Sequence, residues 1–397
     1  MYNNFMYYAR SVTDNALRLF KQYPIVTITG PRQSGKTTLC KRIFNKLDYV
    51  SLEDITNRAF AENDPLQFLN KYAKGAVIDE VQRVPSLISY LQTFVDNKGR
   101  NSLFVLTGSR QFELMDSINQ SLAGRTALIR LLPFSYDEIY TGKKPLLEEV
   151  LYRGFYPRIF AEKLDPTEMY SFYTNTYLER DVRQIINVQD IRTFEVFLKL
   201  CAGRNAQVLN YSAIGNDCGV DNKTVKKWLS ILEASYIIKP VSPYYKNLNK
   251  RLVKSPKLYF YDTGLVCYLL GIHNPRQLEN HPLAGAIFES FVFSELWKSY
   301  YNNIRSDNLF YFRDTRGREV DGILDKVVSI SQFEIKKSST ISSSFFKTLE
   351  YLKTLTLPVD KSFLIYGGDD TFLREGTWII SWRDISRVLE LEELPSE

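Results

Sequence analysis

The run Gly30, Pro31, Arg32, Gln33, Ser34, Gly35, Lys36, Thr37, Thr38 has the spacing G-x-x-x-x-G-K-[ST], which suits it to gripping a polyphosphate. The glycines let the backbone turn with its N–H groups pointing inward, and a helix starting behind them adds the positive end of its dipole. Lys36 is expected to reach the β- and γ-phosphates of ATP, and the Thr37 hydroxyl to bind Mg²⁺. Further along, Asp79 and Glu80 close a short apolar run. An Asp at the tip of a buried strand can hold Mg²⁺ through water, and a Glu directly after it can polarise the attacking water. The alternative is a pair of solvated acids opening a loop, which loses force once a phosphate cradle precedes it. Ser109 or Thr107, ending a later apolar run, would sense the γ-phosphate or else be ordinary turn residues. Arg125, just before the next run, stands where an arginine finger acting in trans would sit, and that role requires an oligomer. Otherwise it is a helix-terminal arginine.

A second constellation lies in the last third. Glu289 sits in the helical pattern AIFESFVFSELWK, Asp321 in EVDGILD, and Glu334 with Lys336 in FEIKKSS. Glu334 and Lys336, two apart on a strand, share one side of a sheet. A helix-borne Glu, then an Asp, then Glu-x-Lys on the next strand resembles the PD-(D/E)xK restriction-endonuclease-like core. By that resemblance Asp321 and Glu334 would hold one or two Mg²⁺ ions that activate water, with Glu289 supporting the metal. Lys336 would orient or deprotonate the water. The competing reading makes Glu319, Asp321 and Glu334 a polar strand face paired with Lys336, a decayed nuclease fold kept for binding.

These residues need elements to position them. PIVTITG is a β-branched run of buried-strand character, and LCKRIF behind the glycines has a helical pattern. YVSL, GAVIDEVQ, NSLFVLTGS and TALIRLLPF supply further strands separated by helical stretches. Alternation of this kind predicts an α/β fold with a parallel sheet, and ligands bind at the carboxyl ends of such strands. Five strands with Asp-Glu after the third resemble the AAA+ branch of P-loop ATPases. More narrowly, G-P-R-Q-S-G-K-T-T-L, V-I-D-E-V-Q, L-T-G-S-R and S-L-A-G-R resemble a prokaryotic, largely uncharacterised AAA+ group with a C-terminal domain of formerly unknown function.

The expected domains are an ATPase domain over 1–145, a helical linker or lid over 146–206, a winged helix over 207–272 and a nuclease-like domain over 273–397. In the linker, T-Y-L-E-R-D-V-R places Glu179 and Arg183 four apart, a surface ion pair. In the third segment a short helix from Tyr211, a turn at Gly219 to Asp221 and a helix over 222–235 precede a hairpin with a basic tip, YYKNLNKRLVKSP. Val225, Leu229, Leu232 and Tyr236 form one apolar face, and Lys223, Lys226 and Lys227 lie off it. Winged helices commonly place the second helix in the DNA major groove and the wing on the backbone. The alternative is a module kept for protein packing, its lysines merely solvated.

Composition narrows the choices. Only two histidines, His273 and His281, argue against histidine-based hydrolases and His-ligated zinc enzymes. The cysteines Cys40, Cys201, Cys218 and Cys267 are scattered and read as reduced thiols, with no zinc spacing. No run of about 18 apolar residues and no secretory leader appear, so a cytoplasmic protein without a membrane span is expected. The net charge is +6, yet residues 199–257 alone hold eleven Lys or Arg against three Asp or Glu. That concentration favours nucleic acid, DNA above RNA, as a partner. The expectation is an ATP- and Mg²⁺-using AAA+ protein that couples nucleotide state to nucleic-acid binding, with metal-dependent cleavage an open question. Its rival is a nucleotide-switched regulatory or defence protein acting through protein partners.

Overall fold

The computed structural model describes residues 7–109, 121–178, 191–245, 255–355 and 357–394. The chain divides into two units. The first comprises residues 1–134 with Ala234–Tyr236 and Tyr301–Arg305, and the second the remainder.

The first unit is built on five strands: β1 (Ile25–Thr29), β2 (Asp48–Ser51), β3 (Ala76–Asp79), β4 (Phe104–Gly108) and β5 (Thr126–Arg130). They lie in the order β2-β3-β4-β1-β5, and every neighbouring pair is parallel. β1, β3 and β4 are buried throughout, which is why their sequences read as continuous apolar runs rather than alternating ones. Alternation reappears as a division of labour between the two faces. Ile25, Ile78 and Leu106 pack with Leu87, Ile88, Leu91 and Val95 of the Ser86–Lys98 helix. Val26, Ile28, Val77 and Val105 pack instead with Leu39, Cys40 and Phe44 of the segment behind the glycine-rich loop, and with Ala16 and Leu19. Each large apolar side chain so buried contributes about 1.5–3 kcal/mol. The C-terminal ends of β1, β3 and β4 are thereby held side by side.

In the second unit a helix (Ile191–Gly203) leads to β6 (Gln207–Val208), a helix (Tyr211–Cys218), a helix (Asn222–Ala234), β7 (Ile238–Val241) and β8 (Lys257–Phe260). The three strands form an antiparallel sheet in the order β6-β8-β7. Gly219, at φ +70°, ends the first of the paired helices, and the Asp221 carboxylate accepts from the Thr224 N–H to start the next. Val225, Leu229 and Leu232 are buried, while Lys223, Lys226 and Lys227 are exposed. The expected helix stops one residue early, at Ala234. Tyr236 adopts φ +57° in the turn beyond, and its hydroxyl bonds Thr29 Oγ1 at 2.8 Å. Much of the expected basic hairpin tip, 246–254, lies outside the described residues, as do Glu179 and Arg183.

The last third forms a six-stranded sheet, in the order β13-β14-β12-β11-β10-β9. β9 (Leu309–Arg313), β10 (Glu319–Asp325) and β11 (Ile330–Lys336) run antiparallel; β11, β12 (Val359–Tyr366) and β14 (Thr377–Ser381) run parallel. The short β13 (Phe372–Arg374) pairs with β14, and neither was foreseen from sequence. The Ala284–Asn302 helix is buried more fully than its pattern implies. Phe291, Phe293 and Trp297 are enclosed along with Phe288, Val292 and Leu296.

Candidate functional site

The glycine-rich loop follows β1 and leads directly into the Lys36–Ile43 helix. Gly30 tolerates no side chain, because a Cβ there would stand 2.0 Å from the Leu131 carbonyl oxygen. Gln33 and Gly35 take positive φ, +61° and +92°, which curls the intervening backbone. Lys36 is buried, and its ammonium folds back to donate to the carbonyls of Gly30 (3.0 Å) and Pro31 (2.7 Å). Burial pulls this ammonium down to about 8, against the pull of Glu80 and Asp79. Ser34 Oγ and Gln33 Oε1 are buried in the loop with no partner. Such atoms are costly unless something supplies a hydrogen bond.

Asp79 ends β3 beside the helix start. Thr37 Oγ1 donates to Asp79 Oδ2 at 3.1 Å, Tyr49 donates to the same oxygen, and Thr107 donates to Oδ1. Glu80 takes φ +57°, and its N–H donates to Thr107 Oγ1 at 3.1 Å. Its carboxylate accepts from Ser109 Oγ at 3.1 Å and from the Gln82 amide. Thus Thr37, Asp79, Glu80 and Ser109 are gathered at one edge of the sheet with Lys36, as their spacing implied, and Thr107 contacts both acids. These residues fit a nucleotide with Mg²⁺. The loop has a curled backbone, a buried cation and orphaned polar atoms, and a hydroxyl and carboxylate face each other at the helix start.

Two arginines complete the picture. Arg10 is buried and donates to the carbonyls of Ser34 (2.8 Å) and Leu132 (2.7 Å), tying the glycine-rich loop to the stretch after β5. Arg125 lies at the other edge of the sheet. Its carbonyl accepts from the Ile25 N–H, at the start of β1, roughly 16 Å from the loop at about 3.3 Å per residue. Its guanidinium grips Asp96 through two bonds of 2.7 and 2.8 Å.

The second constellation is also assembled, with an addition. Asp321 lies within a register shift of the β10–β9 pairing between Val320 and Ile323, and its Oδ2 accepts from the Ile335 N–H of β11 at 2.8 Å. Lys336 contacts Glu334 at 2.6 Å and Asp321 at 3.4 Å. Thr348 donates to the other Glu334 oxygen at 2.8 Å. Glu289 accepts from Tyr259 and from Lys257, the latter at 3.0 Å, and Lys257 also contacts Glu319 at 2.5 Å. Burial and then Asp321 push Glu289 up to about 7 against Lys257, and push Glu334 up to about 7 against Lys336. Burial works against the charge of both lysines, but the carboxylates outweigh it and hold each ammonium above its ordinary value. Among the described residues, no three His, Cys, Asp or Glu side chains are placed to hold a metal ion.

Sequence reasoning passed over Arg10, Tyr49, Gln82 and Tyr259, and counted Lys257 only as bulk charge. A signal existed for two of them. In KLYFYD, Lys257 and Tyr259 stand two apart on a strand and therefore share a face. His273 and His281 are loop residues, as expected, with His281 Nδ1 accepting from the Leu283 N–H. The four cysteines are free thiols, all but Cys218 buried. Among the described residues, no helix is long and apolar enough to cross a membrane.

Comparison with known proteins finds matches along most of the chain. Residues 22–140 match the AAA domain, and residues 144–276 and 284–385 each match a domain of unknown function, DUF8612 and DUF4143. Over 361 residues the chain is 30% identical to the uncharacterised protein Rv2008c of Mycobacterium tuberculosis, spanning 89% of this chain and 79% of that protein. An uncharacterised protein of Haemophilus influenzae is 22% identical over 313 residues, 70% of this chain and 75% of that one. Among solved structures, the Walker-type ATPase paby2304 of Pyrococcus abyssi is a partial likeness, with a TM-score of 0.45 and 14% identity over 65% of this chain and 94% of that one. The chain belongs to the same family as Rv2008c, and its first domain is an AAA domain, a nucleotide-binding ATPase module.

Proposed function

We propose that this protein is an ATP-driven switch whose nucleotide state sets its grip on DNA. The observation that carries the reading is the pairing of a loaded-ready P-loop with a helix bearing exposed Lys223, Lys226 and Lys227. Lys36 and the loop N–H groups of residues 30–38 hold the phosphates, and Thr37 with Asp79 holds Mg²⁺, whose part is to neutralise phosphate charge. Glu80 orients and polarises water, and Ser109, already bonded to Glu80, reports on the γ-phosphate. Arg125 completes the site of a second copy of the chain, so the working form is a homo-oligomer. The protein acts in the cytoplasm.

The order helix, strand, helix, helix, strand, strand with a β6-β8-β7 sheet supports a winged helix, its Asn222–Ala234 helix facing DNA phosphates. Coupling to nucleotide has a physical route. Tyr236, two residues past that helix, bonds Thr29 at the last position before the P-loop. The C-terminal domain is an endonuclease-like fold that holds DNA without cutting it, since Glu289, Glu319, Asp321 and Glu334 each contact a lysine or a backbone N–H. A second reading, metal-dependent cleavage through Asp321, Glu334 and Lys336, is favoured by their gathering on the paired strands β10 and β11.

The test is fluorescence anisotropy with labelled duplex DNA across a salt series, in ATP, ADP and no nucleotide. Replacing Lys223, Lys226 and Lys227 together with Ala is expected to reduce the log–log salt slope by about 2–3, from about 0.9 per phosphate contact. Affinity that is equal in all nucleotide states removes the coupling. An unchanged slope removes the helix as the DNA contact. DNA cleavage by the wild type that is lost in Asp321→Ala establishes the second reading.

A further inference from the structure

The carboxylates of the C-terminal domain already have a cation among them. Lys257 is 3% exposed and contacts both Glu289, from the Ala284–Asn302 helix, and Glu319, from β10. It is the first residue of β8, the middle strand of the β6-β8-β7 sheet, with Val208 opposite on one side and Val241 on the other. Backbone pairing on both flanks fixes where its side chain starts. Tyr259, two residues on and on the same face, donates its hydroxyl to the Glu289 oxygen that Lys257 also holds. Lys336 performs the same service for Asp321 and Glu334.

A divalent ion needs several free carboxylate oxygens converging from more than one element, and it cannot share them with an ammonium a few ångströms away without strong repulsion. Glu289 Oε1 is taken twice, Glu319 Oε1 once, and Asp321 Oδ2 by a backbone N–H and by Lys336. The residues as arranged therefore do not fit the metal that the endonuclease-like reading calls for, and among the described residues no acidic trio is placed to hold one. We propose that Lys257 is the built-in cation of this cluster, filling the space between Glu289 and Glu319, and that these two carboxylates, with the Asp321 oxygen that Lys336 does not contact, accept Mg²⁺ or Mn²⁺ only when the Lys257 ammonium is removed. This holds whether or not the Asn222–Ala234 helix touches nucleic acid.

The experiment measures Mn²⁺ binding to the full-length, nucleotide-free protein by electron paramagnetic resonance of the free ion. Wild type, Asp321→Asn, Lys257→Met and the double variant Lys257→Met with Asp321→Asn are compared. Wild type and Asp321→Asn should bind alike, any weak binding at the P-loop being common to both. Lys257→Met should gain one ion per chain, at least tenfold tighter than any site in the wild type, and the double variant should lose it. The same Mn²⁺ should raise the melting temperature of Lys257→Met but not of the wild type. Two results overturn the proposal: wild-type Mn²⁺ binding that Asp321→Asn abolishes, or a folded Lys257→Met that binds no more Mn²⁺ than wild type. If Lys257→Met does not fold, Lys257→Gln takes its place, and the comparison of wild type with Asp321→Asn stands without either.

Discussion

The two constellations handle charge in opposite ways. Around the P-loop, the cation and the anions are kept apart. Lys36 donates to two backbone carbonyls, and Asp79 accepts from three hydroxyls, on Thr37, Thr107 and Tyr49. Among the described residues only neutral groups hydrogen-bond to each charge, so each is still available to a charged ligand. Around the C-terminal sheet, lysines and carboxylates hold each other directly. One arrangement is poised for a charged guest and the other is already neutralised from within. A buried charge left among neutral dipoles costs free energy that a ligand can recover, whereas a matched pair offers a ligand little. The difference predicts that removing the cation has contrary consequences in the two places.

The largest effect is expected on stability at Lys257. Lys257→Ala leaves Glu289 and Glu319 without their shared partner, and breaking a buried pair costs about 3–5 kcal/mol. The denaturation midpoint in urea should fall accordingly. Adding Glu289→Gln to that variant removes one stranded charge and should restore at least about 1 kcal/mol, a coupling that a double-mutant cycle measures directly. Lys257→Ala with an unchanged midpoint would show that the cluster does not depend on its lysine, and the contrast with the P-loop would collapse.

Next in size is the effect on nucleotide binding at Lys36. Lys36→Ala should weaken ATP binding by at least about 100-fold, about 2.7 kcal/mol, and abolish turnover. It should not lower stability, because the buried ammonium it removes hydrogen-bonds, among the described residues, to two carbonyls alone and carries an unfavourable burial cost. Equilibrium binding of a fluorescent ATP analogue, read beside the urea midpoint, separates the two. Undiminished ATP hydrolysis in this variant would remove the P-loop from the mechanism altogether.

How much of this was legible in the sequence differs between the two regions for the same physical reason. The P-loop is local: Gly30 to Thr38 are consecutive, and Asp79 and Glu80 announce themselves at the end of an apolar run. β1, β3 and β4 were legible because buried parallel strands read as continuous apolar runs, whereas the partly exposed β2 and β5 were legible from their place between helical stretches. In the C-terminal sheet the Asp321 and Glu334-x-Lys336 pattern was visible, yet the residue that decides the local charge balance, Lys257, comes from a different sheet more than thirty positions before Glu289. Only the strand pairing that centres β8 between β6 and β7 brings it there. Arg10 was invisible for a similar reason, since its carbonyl partners at Ser34 and Leu132 are backbone atoms that no side-chain pattern encodes. β13 and β14 escaped notice because FLR and TWIIS are short and lie past the last recognised motif.

The smallest expected effect sharpens the comparison through pH. In the nucleotide-free protein burial pulls Lys36 down to about 8, and a bound triphosphate, adding negative charge beside it, must raise it again. The bound state therefore holds its proton to higher pH than the free state, so binding takes up a proton above about pH 8 and affinity falls as pH rises through that value. Between pH 7 and pH 9 the loss should be about tenfold, because the charged fraction of free Lys36 falls from about nine-tenths to about one-tenth. Calorimetric titration at pH 9 in two buffers of different ionisation enthalpy should give different apparent binding enthalpies, and at pH 7 nearly equal ones. A flat affinity profile across this range would mean that Lys36 keeps its full charge among the loop carbonyls. The P-loop would then be no more poised for an anion than the lysine-filled cluster at the other end of the chain.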